Sequence, residues 1–315
     1  MKDVVIIIGP TASGKTRFAI EMAERSGTEI ISMDSMQIYQ TMDIGTAKPN
    51  ADELKRVKHY MIDIIHPARQ YSVAEYRADA DKCIQRILAN GRVPIVTGGT
   101  GLYFKALTNN MHLGHTAANK QIREHYEKYL QENGIFRLHE KLKMVDQKSA
   151  ERLHPNDTRR VIRALEVYDV TGFPIGDREP FSPISQYKFT IVGLYVNRDE
   201  LITRINRRIG SMVKAGLADE VDQLLKMGVT AESQSMQGIG YKEFIPYVRG
   251  LVTLDEAVEQ VKVRTRQYAK RQMTWFRSVK NVLWINALDS IPESHTQYIQ
   301  SFIEGGVNHD YEVPI

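Results

Sequence analysis

A single cysteine, Cys83, among 315 residues rules out an internal disulfide and any cysteine-rich zinc site, and a reducing cytoplasm is the expected setting. No stretch approaches the roughly 20 apolar residues of a membrane-spanning helix, so no membrane association is expected. The first apolar run, Val4 to Ile8, is too short for a signal peptide and reads as a strand. Bulk charge is also scarce: 42 Lys and Arg against 38 Asp and Glu leave a formal +4, so any attraction to a polyanion has to come from a local patch. Internal repeats and low-complexity tracts are missing, which excludes solenoid and linker architectures. The length instead suits one layered core with a second lobe.

Directly behind Val4 to Ile8 stands Gly9-Pro10-Thr11-Ala12-Ser13-Gly14-Lys15-Thr16, which fits G-x-x-x-x-G-K-[ST] in a strand-loop-helix context. Glycines at both ends let the loop turn its N–H groups inward, and the helix beginning near Lys15 aims its positive end at the same point. Lys15 adds a mobile cation and Thr16 a hydroxyl suited to Mg²⁺. The loop is therefore expected to grip a diphosphate or triphosphate, whether as a donor's transferable end or as a leaving group.

Alternating strand-like and helix-like segments indicate an α/β fold, a P-loop NTPase-like parallel sheet with helices on both faces. The strands are read at Val4 to Ile8, Glu29 to Ser32, Tyr60 to Ile65 and Val93 to Thr97, the last running into a second glycine-rich turn, Gly98-Gly99-Thr100-Gly101. A capping box at Ser72 opens a helix reaching about Asn90. Residues 112–185 lose strand character and read as a helical insertion domain with helices over Asn119 to Asn133, Phe136 to Met144 and Thr158 to Val170. Strand pattern returns over Phe189 to Val196, so the core is expected to comprise 1–111 and 186–315. Helices follow over Asp199 to Lys214 and Ala218 to Met227, and a capping box at Thr253 opens a last helix to about Arg277. On it Val258, Val261, Thr265, Ala269, Met273 and Phe276 form the expected core stripe. The tail after Gly305 reads as poorly anchored.

Five further constellations bear on chemistry. Asp34, behind the second strand, sits where a carboxylate can take a proton or organise Mg²⁺, although Asp is equally an ordinary turn residue there. Lys48 is read either as a phosphate contact or as an exposed loop lysine. Asp157, as a helix cap followed by Thr158, Arg159 and Arg160, can grip a backbone phosphate or be a solvated helix end. Arg204, Arg207 and Arg208 crowd one helix, and any one of them suits a diphosphate charge. From Lys262 to Lys280 seven Lys or Arg occur with no acid, interleaved with Tyr268 and Trp275, as on surfaces that meet nucleic acid. His66 has no metal-ligand partner at a recognisable spacing.

Together these strings resemble the bacterial-type tRNA dimethylallyltransferases, also called tRNA isopentenyltransferases. The likeness runs in order through GPTASGKT (9–16), DSMQIY (34–39), DIGTAKP (43–49), YSVAEY (71–76), VTGGTGLY (96–103), HPNDTRRVIRALEV (154–167), RRIGSMVKAGLADEV (207–221) and TRQYAKRQMTWFR (265–277), without the zinc module some eukaryotic relatives append. The resemblance implies transfer of a dimethylallyl group from dimethylallyl diphosphate to N6 of the adenosine immediately 3′ of the tRNA anticodon, with Mg²⁺. It implies Asp34 as the base or acceptor for the adenine amine. Thr16 and Arg208 would stabilise the departing diphosphate, with Lys15 and the loop Gly9 to Thr16 holding it. Contacts to the anticodon stem-loop are expected from Asp34, Ser35, Met36, Gln37, Thr100, Arg123, Asp157, Thr158, Arg159, Arg160, Lys270, Arg271 and Arg277. A flipped base has to reach the donor, so a channel through the core is expected, in a monomer. The rival readings are a P-loop small-molecule kinase using ATP and a non-enzymatic RNA-binding protein.

Overall fold

The computed structural model describes residues 2–109, 119–177, 186–287, 293, 297 and 299–301. The chain forms two compact units, one of 1–108 with 185–315 and one of 109–184. In the larger, β1 (Lys2–Ile8) leads through the P-loop into α1 (Lys15–Arg25). β2 (Ile30–Ser32), α2 (Ala51–Arg56), β3 (His59–Tyr60), α3 (Val73–Ala89), β4 (Ile95–Gly98) and α4 (Gly101–Thr108) follow. The smaller unit holds α5 (Lys120–Val145), α6 (Gln147–Arg152) and α7 (Thr158–Thr171). The larger unit resumes with β5 (Tyr187–Tyr195), α8 (Arg198–Lys214), α9 (Leu217–Lys226), α10 (Tyr241–Val248), α11 (Leu254–Phe276) and β6 (Val282–Asn286).

All six strands pair in parallel in the order β3-β2-β4-β1-β5-β6. β1 is central, and its residues alternate between two cores: Val4, Ile6 and Ile8 face one side, Val5 and Ile7 the other. A strand covered on both faces needs apolar residues at every position, which is why Val4 to Ile8 is an unbroken β-branched run. The carboxyl ends of β1, β2 and β4 lie side by side, so the P-loop, Asp34 and the turn 98–101 share one sheet edge, where open α/β sheets place ligands.

Three readings change. The strand expected over Tyr60 to Ile65 stops after Tyr60, because Met61 (φ 63°) and Asp63 (φ 54°) take left-handed backbone conformations that no strand holds. The stripe on α11 is shifted in phase: Val261, Ala269 and Phe276 are buried with Ala257 and Gln272, whereas Val258, Thr265 and Met273 are only half-buried. Asp157 precedes α7 but does not cap it; its carboxylate instead pairs with Arg160 at 3.3 Å. The smaller unit packs around Tyr126, Leu138, Leu142, Val161 and Leu165, with α5 broken at Gly134, whose φ of 79° interrupts the helix. The tail after Gly305 lies outside the described residues.

Candidate active site

The sheet edge opens into a cavity of about 380 Å³ lined from the larger unit alone. Its lining combines polar Thr11, Lys15, Thr16, Asp34 and Arg208, with Arg208 and Asp34 near enough to act on the Lys15 charge, and apolar Met36, Ile205, Ile209, Met212, Ile239 and Val261. A lining with both charged and apolar side chains suits a ligand that is part anionic and part hydrocarbon.

The P-loop is fastened on its outer limb. Lys15 Nζ donates to the Pro10 carbonyl at 2.6 Å, Ser13 N–H also turns towards Pro10 O at 3.3 Å, and Thr11 N–H donates to Gln272 Oε1 at 2.8 Å. Ala12 is held at φ 63°, a left-handed conformation that costs a non-glycine residue of order 1 kcal/mol unless its surroundings impose it. Gly9 tolerates no side chain, because a Cβ there would meet Leu194 O at 2.5 Å.

Burial and the neighbouring Arg208 charge push the Lys15 ammonium from 10.5 down to about 7, with Asp34 partly opposing them. Burial likewise lowers Arg208, again against Asp34. Two cations whose charge is disfavoured by burial form a receptor for an anion, since a bound polyanion would favour the charged form of both. A diphosphate should therefore draw a proton onto Lys15 above pH 7. The sign follows from linkage: the complex binds more protons than the free site, so affinity falls as pH rises from about 7 towards 10. Calorimetry of Mg²⁺-diphosphate binding at pH 8, in buffers of different ionisation enthalpy, should register net proton uptake approaching one; no uptake would mean that Lys15 stays charged in the empty site.

Among the three crowded arginines the packing of α8 discriminates. Arg204 is committed elsewhere, its Nε donating to Glu200 at 2.7 Å and its Nη1 to the Ala287 carbonyl at 3.0 Å. Arg207 is exposed. Arg208 alone of the three lines the cavity, and it pairs with no carboxylate among the described residues. A sequence signal was available: Arg208 shares a helix face with Ile205, Ile209 and Met212 at the i, i+3, i+4, i+7 spacing, which places a cation inside an apolar stripe.

Asp34 fills the turn role with one oxygen and keeps the other unengaged. Its Oδ1 accepts from Met36 N–H at 2.8 Å, closing a turn, while Oδ2 makes no hydrogen bond among the described residues and is available to a ligand. Ser35 N–H donates to Thr100 Oγ1 at 3.1 Å, tying this turn to the 98–101 turn. Gln37 accepts from Ser32 Oγ at 2.9 Å and lines the same cavity as Ser35 and Met36.

Lys48 is neither a phosphate contact nor exposed. Its ammonium is anchored by the Tyr39 carbonyl at 2.6 Å and by Asp43 and Asp63, which fixes the 43–48 loop against the 61–65 segment. The loop's other side is held by Glu220 on α9, a residue with no role in the sequence reading: its carboxylate accepts from the N–H groups of Asp43, Ile44 and Gly45 and from Tyr241 Oη at 2.6 Å. Gly45 is required there, since a Cβ would meet the Tyr241 ring at 2.6 Å. This clamp sets the cavity wall formed by residues 45–47.

On α11, Lys270, Arg271 and Arg277 are all exposed; Arg271 also lines the cavity, its guanidinium 5.9 Å from the Tyr268 ring centroid, and Lys270 and Arg277 join no ion pair among the described residues. Lys262 is paired with Glu259. In the smaller unit, Arg123 grips the buried Glu166 through Nε and Nη2 at 3.0 and 3.1 Å, and Arg163 shares the same carboxylate at 2.7 Å. Arg123 can offer an RNA phosphate only what that pairing leaves free. Thr158 begins α7, and Arg159 and Arg160 beside it are exposed.

The profile of the IPP transferase family matches residues 37–279. The tRNA dimethylallyltransferase of Acetivibrio thermocellus is 49% identical over 288 residues, covering 91% of this chain and 92% of the relative. That of Bacillus mycoides is 45% identical over 305 residues, covering 96% and 95%. The crystal structure of the tRNA isopentenylpyrophosphate transferase from Bacillus halodurans superposes with a TM-score of 0.72 at 42% identity, covering 97% of each chain. A structure described as a eukaryotic dimethylallyltransferase acting on tRNA gives a TM-score of 0.83 at 27% identity, covering this whole chain and 82% of the other. With cavity, P-loop and acidic turn assembled on one parallel sheet and relatives matched along nearly their full length, the chain belongs to the IPP transferase family.

Proposed function

We propose that this protein transfers the dimethylallyl group of dimethylallyl diphosphate to N6 of the adenosine immediately 3′ of the anticodon in tRNA. The observation that carries the reading is that one cavity is lined by Lys15, Thr16, Arg208 and Asp34 together with apolar side chains such as Ile205, Ile209 and Met212. In the reaction the N6 lone pair forms a bond to C1 of the allyl group as the C1–O bond breaks. The bond's electrons leave with the diphosphate, whose growing charge meets Lys15, Thr16, Arg208 and the loop N–H groups. Asp34 Oδ2 receives the N6 proton. The apolar side chains pack against the five-carbon chain and keep water from the allylic carbon.

No group of three His, Cys, Asp or Glu suited to a resident metal occurs among the described residues. The residues present fit a Mg²⁺ carried by the diphosphate, with the Thr16 hydroxyl as the nearest protein ligand and waters filling the rest, as is usual for this ion. Bound there, the ion would offset charge on the leaving group.

For tRNA we assign the polar cluster of Ser35, Met36, Gln37 and Thr100 to the target base and its neighbours, and Arg123, Asp157 to Arg160, Lys270, Arg271 and Arg277 to the anticodon stem-loop. Every group invoked comes from one chain, so a monomer suffices. No helix among the described residues is long and apolar enough to cross a membrane, and substrate and half-buried Cys83 suit the cytoplasm. A P-loop kinase using ATP would explain the loop but leave the basic and aromatic residues of α11 without a task.

Incubation with unmodified tRNA, labelled dimethylallyl diphosphate and Mg²⁺ tests the reading: label should enter tRNA, and nucleotide consumption with a metabolite hydroxyl would select the kinase. A second expectation concerns the exposed cations. Exchanging Lys270 and Arg277 together for Gln should flatten the slope of log tRNA affinity against log salt by about one to two units, leaving donor KM unchanged. Equal slopes would make that helix end a solvated face.

A further inference from the structure

We propose that Gln272 is a positioning residue that sets the donor-binding shape of the P-loop from the far end of the chain. This inference rests on the reading of the P-loop as the diphosphate site. Gln272 is only 6% exposed, in the buried phase of α11, where the helix pattern calls for an apolar side chain. A buried amide in a core stripe is costly unless all its polar atoms are partnered. Here the amide spans two loops: Oε1 accepts from Thr11 N–H at 2.8 Å and Nε2 donates to the Gly99 carbonyl at 2.9 Å. The second contact is so close that a Cβ on Gly99 would lie 2.1 Å from Nε2, so the turn after β4 is cut to fit this amide.

The two loops joined in this way close the ends of adjacent strands, β1 and β4, and both line the cavity. Two features make the link more than packing. Thr11 precedes Ala12, whose left-handed backbone persists only while its neighbours over-determine it, and the Thr11 bond is one of those restraints. Pro10 has no N–H and its carbonyl is taken by Lys15 and Ser13, so Thr11 N–H is the first amide with which the outer limb can be fastened to the body of the protein. The limb's other hydrogen bonds among the described residues, from Lys15 and Ser13 to the Pro10 carbonyl, are internal to the loop. Gln272 itself lines the cavity, but both ends of its amide are taken by Thr11 N–H and the Gly99 carbonyl, and it is through these two that it acts in this scheme.

The test reads binding of Mg²⁺ with inorganic diphosphate by calorimetry, together with donor KM, kcat and tRNA affinity. Gln272→Met keeps the length and apolar fit but removes both bonds, together with the amide's interaction with the Tyr268 hydroxyl. It is expected to weaken diphosphate binding and raise donor KM by about tenfold or more, with tRNA affinity within about twofold. Gln272→Asn keeps the amide but is one methylene short and cannot span both partners, so a loss of at least about fivefold is expected. A folded variant that binds diphosphate within about twofold of wild type, whatever its melting temperature, would overturn the proposal. Should neither variant fold, hydrogen exchange on the wild-type protein decides: the Thr11 amide should be protected, and exchange as fast as in an open loop would refute the assignment. Wild-type protein that binds Mg²⁺-diphosphate but leaves tRNA unmodified would sink the transfer reading and leave this inference standing.

Discussion

Arg208→Gln should lower single-turnover transfer by roughly 10²- to 10³-fold, the loss seen when one preorganised donor to a developing charge is removed, or about 2.7 to 4 kcal/mol. The glutamine keeps much of the volume, so the apolar face shared with Ile205, Ile209 and Met212 should stay packed. Arg207→Gln should leave the rate within about threefold, because its side chain is exposed on another face. Rapid-quench measurements with saturating tRNA would separate the two variants. Equal losses would mean that the helix contributes a diffuse field and that Arg208 has no privileged place. Arg208→Lys should recover only part of the rate, since an ammonium lacks the planar fork that donates two parallel bonds.

Asp34→Ala is expected to cost roughly 10²-fold or more in turnover, within the range for losing a positioned general base. The turn should survive in weaker form, because Ser35 N–H remains bound to Thr100 while the bond from Met36 N–H is lost. Asp34→Asn is the sharper variant: its side-chain oxygen can still accept from Met36 N–H, but it cannot take a proton. If proton acceptance matters, the Asn variant should fall nearly as far as the Ala variant in single-turnover transfer, with tRNA affinity near wild type. An Asn variant with unimpaired transfer would show that Asp34 only orients the amine.

Much of this was legible because the decisive features are local. A P-loop is one contiguous string whose chemistry depends on glycine, lysine and hydroxyl at fixed spacing, and a strand buried on both faces advertises itself by an unbroken apolar run. Capping boxes at Ser72 and Thr253 likewise place helix starts within a residue or two, and both form in the structure. What escaped the sequence reading depends on contacts between distant segments. Gln272 lies 261 residues from Thr11 and 173 from Gly99, so nothing in its neighbourhood announces the partners, and the stripe read from the sequence runs through Met273 and passes it by. Glu220 is hidden in the same way, being an ordinary acidic residue near a helix start until three consecutive N–H groups converge on it. The misread strand at 60–65 failed for a different reason: Tyr, Met and Ile fit a strand, but Met61 and Asp63 adopt conformations imposed by tertiary contacts such as the Ile64 N–H bond to Ile38 O. Lys48 was misjudged because a lysine in a loop is usually exposed, and burial with three oxygen partners cannot be read from its flanking residues.

The central claim is that one cavity delivers an allyl group to a base while the P-loop keeps the diphosphate it leaves behind. Quantifying inorganic diphosphate and N6-dimethylallyladenosine in the same reaction, with purified protein, unmodified tRNA, dimethylallyl diphosphate and Mg²⁺ but no nucleotide, tests it most directly. The account predicts one diphosphate for each modified adenosine and no requirement for ATP. Diphosphate released without modified adenosine, or modification that appears only when ATP is added and consumed, would contradict it.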